Sequence, residues 1–180
     1  RWDPGKAVEI NEYTSHVIST AIIAAAGDDN QIEKDARDTN SRTELDSHAN
    51  MVVVGTNSLI IEWSGRTAIV NPFTPDYDAP PEVPIVDAAV MYKCPTSGKE
   101  YILIVRNALH VPAMEHNLIP PFVMREAGIV VNDIPKIHVT DPTIEDHSLY
   151  FEETNFRIPM ALWGTFSYFP TRSPTNEELA

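Results

Sequence analysis

The stretch Ser41-Arg-Thr-Glu-Leu-Asp-Ser-His-Ala-Asn50 runs directly into the apolar segment Met51 to Val54 and then Gly55. Asp46 stands among small and polar residues between two hydrophobic pieces, a pattern that predicts a turn at the end of a strand. Strands on both sides of such a turn hold its backbone while its carboxylate stays accessible. Asp46 is therefore the first candidate functional residue. The plainer alternative is an aspartate that only hydrogen-bonds its own turn.

Short runs rich in β-branched residues continue downstream from this turn. They read MVVVG, SLIIEW, TAIVNPF, IVDAAVMY and YILIVRNAL, and turn residues separate them. This spacing predicts a mainly β, antiparallel domain. The Pro and Gly within Cys94 to Lys99 predict a hairpin between the last two runs. Phe122 to Ala127, followed by Gly128, predicts one short helix.

The flanking segments differ from this region in composition. Residues 6–26 carry apolar residues at helical spacing and predict a helix that stops at Gly27. Residues 28–42 are polar and predict an exposed linker. The tail predicts an aromatic strand that ends at Pro170 and contains Trp163, Phe166, Tyr168 and Phe169. The predicted organisation is an N-terminal extension and linker over 1–42, a β domain over 43–135, and a C-terminal extension over 136–180.

The composition argues against several classes of partner. The chain has 13 Lys and Arg against 26 Asp and Glu, a net charge of -13, which disfavours nucleic-acid binding because that binding needs cations to replace counterions. Its longest apolar stretch, Val17 to Ala26, is too short to span a bilayer. Cys94 is the single cysteine, so no intrachain disulfide can form and a reducing compartment is favoured. We expect no nucleic-acid and no membrane partner.

No cofactor is expected from the residue pattern. The six histidines and the single cysteine show no metal-ligand spacing. A glycine-rich phosphate loop is also absent from the sequence. We therefore predict no metal and no nucleotide.

Three segments resemble, in order, the protease region of copia-type retroelement Pol polyproteins. LDSHAN at 45–50 is similar to the LDSGA turn that carries the catalytic aspartate in that family. ALHVP at 108–112 is similar to its VLYVP strand, and HNLIPPFVMREAG at 116–128 to its NLLS strand and helix. The resemblance covers residues 41–135. It implies a retropepsin-like closed antiparallel β barrel, here with an N-terminal helix, one short helix on the C-terminal side, and extensions.

The resemblance also implies a chemistry and a set of site residues. Asp46 would be the catalytic carboxylate, Ser47 would brace it through its hydroxyl, and His48 and Ala49 would border the substrate. Aspartic proteases need two facing carboxylates, one acting as base toward water and the other as acid. Since the chain has one such turn, the expected form is a homodimer with one aspartate per subunit. The implied substrate is a polypeptide, the element's own Gag-Pol precursor.

Two departures from the family keep a second hypothesis open. His48 replaces the usual Gly, although one branch of these elements reads DSHA, and a positive charge there would move the pH range of the site. The family's glycine-containing flap would fall in the segment 71–84, which has five prolines, and no glycine lies between Gly65 and Gly98. Proline stiffens such a segment and excludes a central strand. The alternative is a non-catalytic structural module of the same fold that assembles into a filament or shell.

The start of the chain and its composition also lead to an expectation about context. Arg1 stands where an initiator Met would be, so we expect a piece of a longer polyprotein. The location expected for such a protein is the cytoplasm or a virus-like particle. An extracellular location is left open.

Overall fold

The computed structural model describes residues 23–25, 41–70 and 82–179. The chain is mainly β in these segments. The strands are β1 Ile23–Ala25, β2 Arg42–Leu45, β3 Val53–Val54, β4 Leu59–Ile69, β5 Glu82–Lys93, β6 Glu100–His110, β7 Asn117–Ile119, β8 Val130–Asp133, β9 His147–Phe151, β10 Phe156–Pro159, β11 Ala161–Trp163 and β12 Phe166–Pro170. The α-helix α1 spans Pro121–Glu126, and 3₁₀ turns span Lys136–His138 and Glu152–Thr154.

The strands form one large mixed sheet and one small antiparallel sheet. The order in the large sheet is β11-β12-β2-β7-β3-β6-β5-β4, with β1 also on β6, and the small sheet runs β10-β9-β8. The prediction of a closed, antiparallel barrel was wrong. Within the described segments the large sheet is open, and two of its pairs, β2 with β7 and β3 with β6, are parallel. The hairpin β11–β12 pairs with the edge of β2, and this occupies an edge that closure would need.

The predicted N-terminal helix is also wrong where the structure describes it. Ile23–Ala25 forms β1 and pairs antiparallel with β6, with Ile23 opposite Ile102 and Ala25 opposite Glu100. Helical spacing of apolar residues is a weak local preference, and hydrogen bonding to a free strand edge overrides it. The rest of 6–26 lies outside the described residues, as does the linker up to residue 40.

Two local predictions are confirmed. In the hairpin between β5 and β6, Cys94 N donates to Lys99 O at 2.8 Å and Gly98 N donates to Cys94 O at 2.9 Å. Gly98 has a φ of 69°, which glycine adopts without strain. The short helix α1 lies where the sequence predicted it and is followed by Gly128.

Two predicted strand runs merge into one strand, β4. The Ser64-Gly65 pair between them forms a bulge, because Ser64 Oγ donates to Ile85 O on β5 at 2.7 Å and Gly65 takes a φ of 72°. The pairing of β4 with β5 shifts register at this bulge. Two residues that predicted a turn thus form a bulge within one continuous strand.

The proline-rich segment, predicted to be excluded from a central strand, contributes its last residues to a strand at a position that has a single neighbouring strand. β5 begins at Glu82, and Pro84 lies opposite Thr67 of β4. The pairing of β5 with β6 begins only at Ile85, so Pro84 lies in a part of β5 that has one neighbouring strand. A missing N–H is tolerated at such a position. Residues 71–81 lie outside the described residues.

The C-terminal extension supplies part of the main core. Tyr92 of β5 is fully buried, with its ring edge-on to Phe156 at 6.0 Å and to Phe169 at 6.1 Å between centroids. His147 of β9 is buried and hydrogen-bonds Ser167 of β12 at 2.8 Å, and burial lowers its pKa. β8 and β9 pair across the predicted boundary at 135/136. Strands β9, β10 and β12 of the C-terminal extension therefore pack as part of the same core.

The last residues of the described chain pack against β5 and β6, on the face opposite the main core. Arg172 and Met91 exchange both backbone hydrogen bonds, at 2.8 and 3.0 Å. The guanidinium of Arg172 makes two bonds to the carboxylate of Glu178, at 2.7 and 2.9 Å. Leu179 packs on a small cluster made of Ala89, Met91, Ile102 and Ile104. The Arg172–Glu178 ion pair thus holds the C-terminal residues over this cluster. We call residues 172–179 the C-terminal clasp.

Glu178→Gln is expected to weaken this clasp in a pH-dependent way. The hydrogen bond from Arg172 lowers the pKa of Glu178 to about 2 from its ordinary 4.5. A carboxyl group with a depressed pKa stabilises the fold above its unfolded pKa, and that stabilisation fades as the pH falls from 4.5 toward 2. We expect a loss of about 1 kcal/mol at pH 7, after allowance for solvent screening. Urea unfolding at pH 7, 5 and 3 measures it, with exposed Glu177→Gln as control; a loss that is equal at all three pH values would contradict the assignment.

Candidate functional site

The turn that carries Asp46 begins where β2 ends. The backbone N–H of Asp46 donates to the carbonyl of Ile119 on β7 at 3.1 Å, so the first residue of the turn is still held by the neighbouring strand. Its Oδ1 accepts the backbone N–H of His48 at 2.9 Å. The side chain is 26% exposed. This geometry agrees with the predicted turn, and its internal hydrogen bond is also the one that a purely turn-forming aspartate makes.

The other predicted site residues lie in the same turn. The imidazole of His48 is 82% exposed, and its Nδ1 lies 3.8 Å from Oδ1 of Asp46. Ser47 was expected to brace the carboxylate, but the hydrogen-bond contact of its Oγ among the described residues is with His48 Nδ1, at 3.5 Å. Ala49 is half-buried. The structure thus keeps the four residues together and leaves the Asp46 carboxylate accessible from one side.

The three segments that resemble the retroelement protease converge in adjacent strands. β7, from the HNLI segment, lies between β2 and β3. Leu118 is opposite both Glu44 of β2 and Val53 of β3. Val53 is in turn opposite Leu109, which belongs to the ALHVP segment on β6. Segments that lie far apart in sequence therefore support one turn.

A buried polar network, which the sequence analysis missed, holds β2 and β7 in place. Asn117 is almost fully buried; its Nδ2 donates to Thr43 Oγ1 at 3.3 Å, and its Oδ1 accepts the N–H of Gly55 at 2.9 Å. The hydroxyls of Thr43 and Thr171 are 2.8 Å apart. Because buried polar groups are costly when unpaired, the network fixes the relative position of these strands. The Asn before the apolar residues of HNLI was the one available sequence signal.

An apolar surface lies on the face of the sheet that carries Glu44, Leu118 and Val53. It is formed by the buried residues Val83, Ile85 and Leu109 and the half-buried residues Met51, Val53, Ala68, Val70 and Val111. We call these eight residues the apolar shelf. Met51 joins it directly from the turn that carries Asp46. Half-buried aliphatic side chains suit the binding of apolar side chains from an extended peptide.

Glu44, the acidic residue nearest to Asp46 in the sequence, does not provide a second catalytic carboxylate. Its Oε1 is 2.6 Å from Nε of Arg42, and both side chains are largely buried. The Arg42 guanidinium also lies over the ring of Trp163, 5.0 Å from its centroid. Glu44 is therefore engaged in an ion pair.

The hairpin β4–β5 follows the Asp46 turn in the chain and precedes β6 and β7. Its strands end at Ile69 and begin again at Glu82. Trp63 on β4 is exposed and stacks edge-on against His110 at 5.5 Å. The segment in which the sequence analysis expected a flap, 71–84, begins between these two strands, and its residues 71–81 lie outside the described residues.

The described residues contain neither a group of metal ligands nor a helix that could span a membrane. Among 23–25, 41–70 and 82–179, no three His, Cys, Asp or Glu side chains are grouped so that they could hold a metal ion. None of the helices in these segments has the length and hydropathy needed to span a bilayer. Comparisons of the chain with protein-family models, curated proteins and solved structures found no match.

Proposed function

We propose that the protein is a retropepsin-like aspartic endopeptidase of a retroelement polyprotein, active as a homodimer. The observation that carries the proposal is the Asp46 turn itself. Its backbone is fixed on Ile119, its carboxylate is accessible, and Oδ2 receives no hydrogen bond from the described residues. An accessible carboxylate on a rigid backbone is what a catalytic acid or base needs.

The reaction is hydrolysis of a peptide bond by the two Asp46 carboxyl groups of the dimer, which share one proton. The ionised group takes a proton from a water molecule, whose oxygen attacks the carbonyl carbon. The protonated group donates its proton to the carbonyl oxygen. When the C–N bond breaks, the carboxyl group that took the water proton gives it to the leaving amine, and a hydroxyl of the intermediate gives its proton to the other carboxylate. The acyl carbon is left as a carboxylic acid, and the pair again shares one proton. No cofactor is required for this balance.

The order of elements supports the same proposal. The Asp46 turn is followed by the long hairpin β4–β5, then by β6, β7 and the short helix α1. This is the order that the resemblance implies for catalytic turn, flap, and the final strand and helix. The half-buried residues of the apolar shelf, which include Met51, would receive the substrate's side chains.

A mixing experiment tests the shared site. Wild-type chain is combined with increasing amounts of Asp46→Asn chain under conditions that allow subunit exchange, and hydrolysis of a reduced and alkylated reference protein is measured. If each subunit supplies one aspartate, heterodimers are inactive. An equal mixture should then fall to about a quarter of the activity of wild type at the same total concentration, because only that fraction of dimers keeps both carboxylates. Activity proportional to the wild-type fraction would show a site complete within one chain.

A second candidate function, the non-catalytic assembly module, is favoured by one observation. Ile61, Trp63 and Ile69 are exposed on β4, which within the described segments pairs on one side only, with β5. An exposed apolar edge strand is a template for pairing with another chain. Concentration-dependent polymers without hydrolysis of any unfolded protein would favour this function over the protease.

A further inference from the structure

His48 is the one residue of the turn 46–50 whose side chain can carry a positive charge. Its imidazole is 82% exposed, against 26% for the side chain of Asp46. The turn itself sets its position, because the backbone N–H of His48 donates to Asp46 Oδ1 at 2.9 Å and the ring nitrogen Nδ1 lies 3.8 Å from the same oxygen. The imidazole is thus held beside the carboxylate while most of its surface faces solvent.

The two ring nitrogens of His48 have different surroundings. Nδ1 lies toward the turn, 3.5 Å from Ser47 Oγ. Within the described part of the chain, Nε2 makes no hydrogen bond. On a ring this exposed, Nε2 can donate to a group that arrives from solvent. A carboxylate is a strong acceptor for an imidazolium N–H, because both partners of that hydrogen bond are charged.

The charges around His48 in the sequence do not cancel a positively charged ring. In residues 41–55 the other ionisable side chains are those of Arg42, Glu44 and Asp46. The charges of Arg42 and Glu44 offset each other in their ion pair. In the proposed dimer the two Asp46 carboxyl groups share a proton and carry one negative charge, whereas two imidazolium rings carry two positive charges. The carboxyl pair and its two histidines then have a net positive charge.

We propose that His48 is a specificity-determining residue, which selects peptide substrates that carry an acidic side chain close to the scissile bond. The proposal rests on the proposed endopeptidase function and names the class of peptide that this site prefers. The chain as a whole, with its net charge of -13, would instead attract basic peptides. That long-range attraction is screened over about 8 Å at physiological ionic strength, so the charge nearest to the scissile bond decides the preference.

The experiment is digestion of a reduced and alkylated reference protein at about pH 5.5, at which histidine side chains generally carry a positive charge. Mass spectrometry identifies the cut sites, and sites that also appear with the Asp46→Asn chain are discarded. Among the remaining sites, acidic residues within about four positions of the cut should exceed basic ones about fivefold, after correction for the composition of the reference protein.

Two substitutions of His48 separate its charge from its place in the turn. His48→Gln should abolish the excess of acidic residues, because glutamine is polar but uncharged. His48→Lys should keep the excess, because lysine supplies a cation at the same position. A histidine that only shaped the turn would change the rates of both variants and leave the ratio of acidic to basic residues as it is in wild type. His138→Gln is the matched control: His138 is an exposed histidine outside the turn, and the ratio should equal that of wild type.

The other outcomes distinguish a failure of this preference from a failure of the proposed function. Wild type that cuts the reference protein where Asp46→Asn does not, but without an excess of acidic residues, overturns the role of His48 and leaves the endopeptidase standing. An excess that persists in His48→Gln, or that disappears in His48→Lys or His138→Gln, also overturns that role. Wild type that makes no cut beyond those of Asp46→Asn removes the proposed function, and the substrate preference falls with it.

Discussion

Asp46→Asn is expected to lower peptide hydrolysis by about 10⁴-fold, since an amide cannot act as the base toward water. The fold should be preserved, because the amide oxygen of asparagine can still accept the N–H of His48 that Oδ1 accepts now. The backbone bond of residue 46 to Ile119 does not involve the side chain. Initial rates on a reduced and alkylated reference protein measure the effect, and thermal unfolding checks the fold.

A matched control for this substitution is Asp141→Asn. Asp141 is an exposed aspartate in the connection between β8 and β9 with a φ of 55°, a conformation that asparagine adopts readily. Its activity on the reference protein should equal that of wild type. Hydrolysis that persists at an unchanged rate in purified Asp46→Asn protein would remove the protease hypothesis.

Of the substitutions proposed for this protein, Gly55→Ala is expected to cause the largest loss of stability, about 3 kcal/mol in the free energy of unfolding. A Cβ at Gly55 would lie 2.2 Å from the backbone oxygen of Met114 and 2.9 Å from its carbon. Backbone atoms cannot rotate away as a side chain can. Two hydrogen bonds keep the backbone at Gly55 close to Met114. One runs from Thr56 N to Met114 O and the other from Gly55 N to Asn117 Oδ1.

Urea unfolding of wild type and Gly55→Ala measures this loss. Gly164→Ala is the control, since no atom lies within 4 Å of its Cβ position and only its φ of 60° is unfavourable for alanine. It should lose about 1 kcal/mol. A loss at Gly55 no larger than at Gly164 would show that the backbone moves apart without penalty. Because Asn117 belongs to β7, which also holds Asp46, Gly55→Ala should reduce hydrolysis in the folded protein as well.

Features that depend on neighbours in sequence were predictable. The turn at Asp46, the hairpin at Cys94 to Lys99 and the helix before Gly128 each follow from a few residues with fixed backbone preferences. Their hydrogen bonds close within a few positions, as from Gly98 N to Cys94 O. The aromatic tail was predictable only in part, because Trp163 and Phe166, expected in one strand, lie opposite each other in the β11–β12 hairpin, and the predicted alternation applies only along Phe166–Pro170.

Features that depend on which strand edges pair in the folded chain were not predictable from the sequence. Helical spacing at 6–26 gave no sign that Ile23–Ala25 pairs with β6, and the Ser64-Gly65 turn signal gave no sign of a bulge. The buried polar network that supports the candidate site could not be predicted for a similar reason. Thr43, Asn117 and Thr171 are ordinary polar residues until the fold brings them together in a buried network.

The sequence by itself determined a mainly β chain, the turn that presents Asp46 and the residues within that turn, because strand alternation and turn formation are local. Tertiary structure alone decided that the sheet is open and mixed and that the C-terminal extension enters the core. These outcomes depend on competition between distant segments for the same strand edges and buried surface. No short stretch of the sequence contains both of the segments that compete.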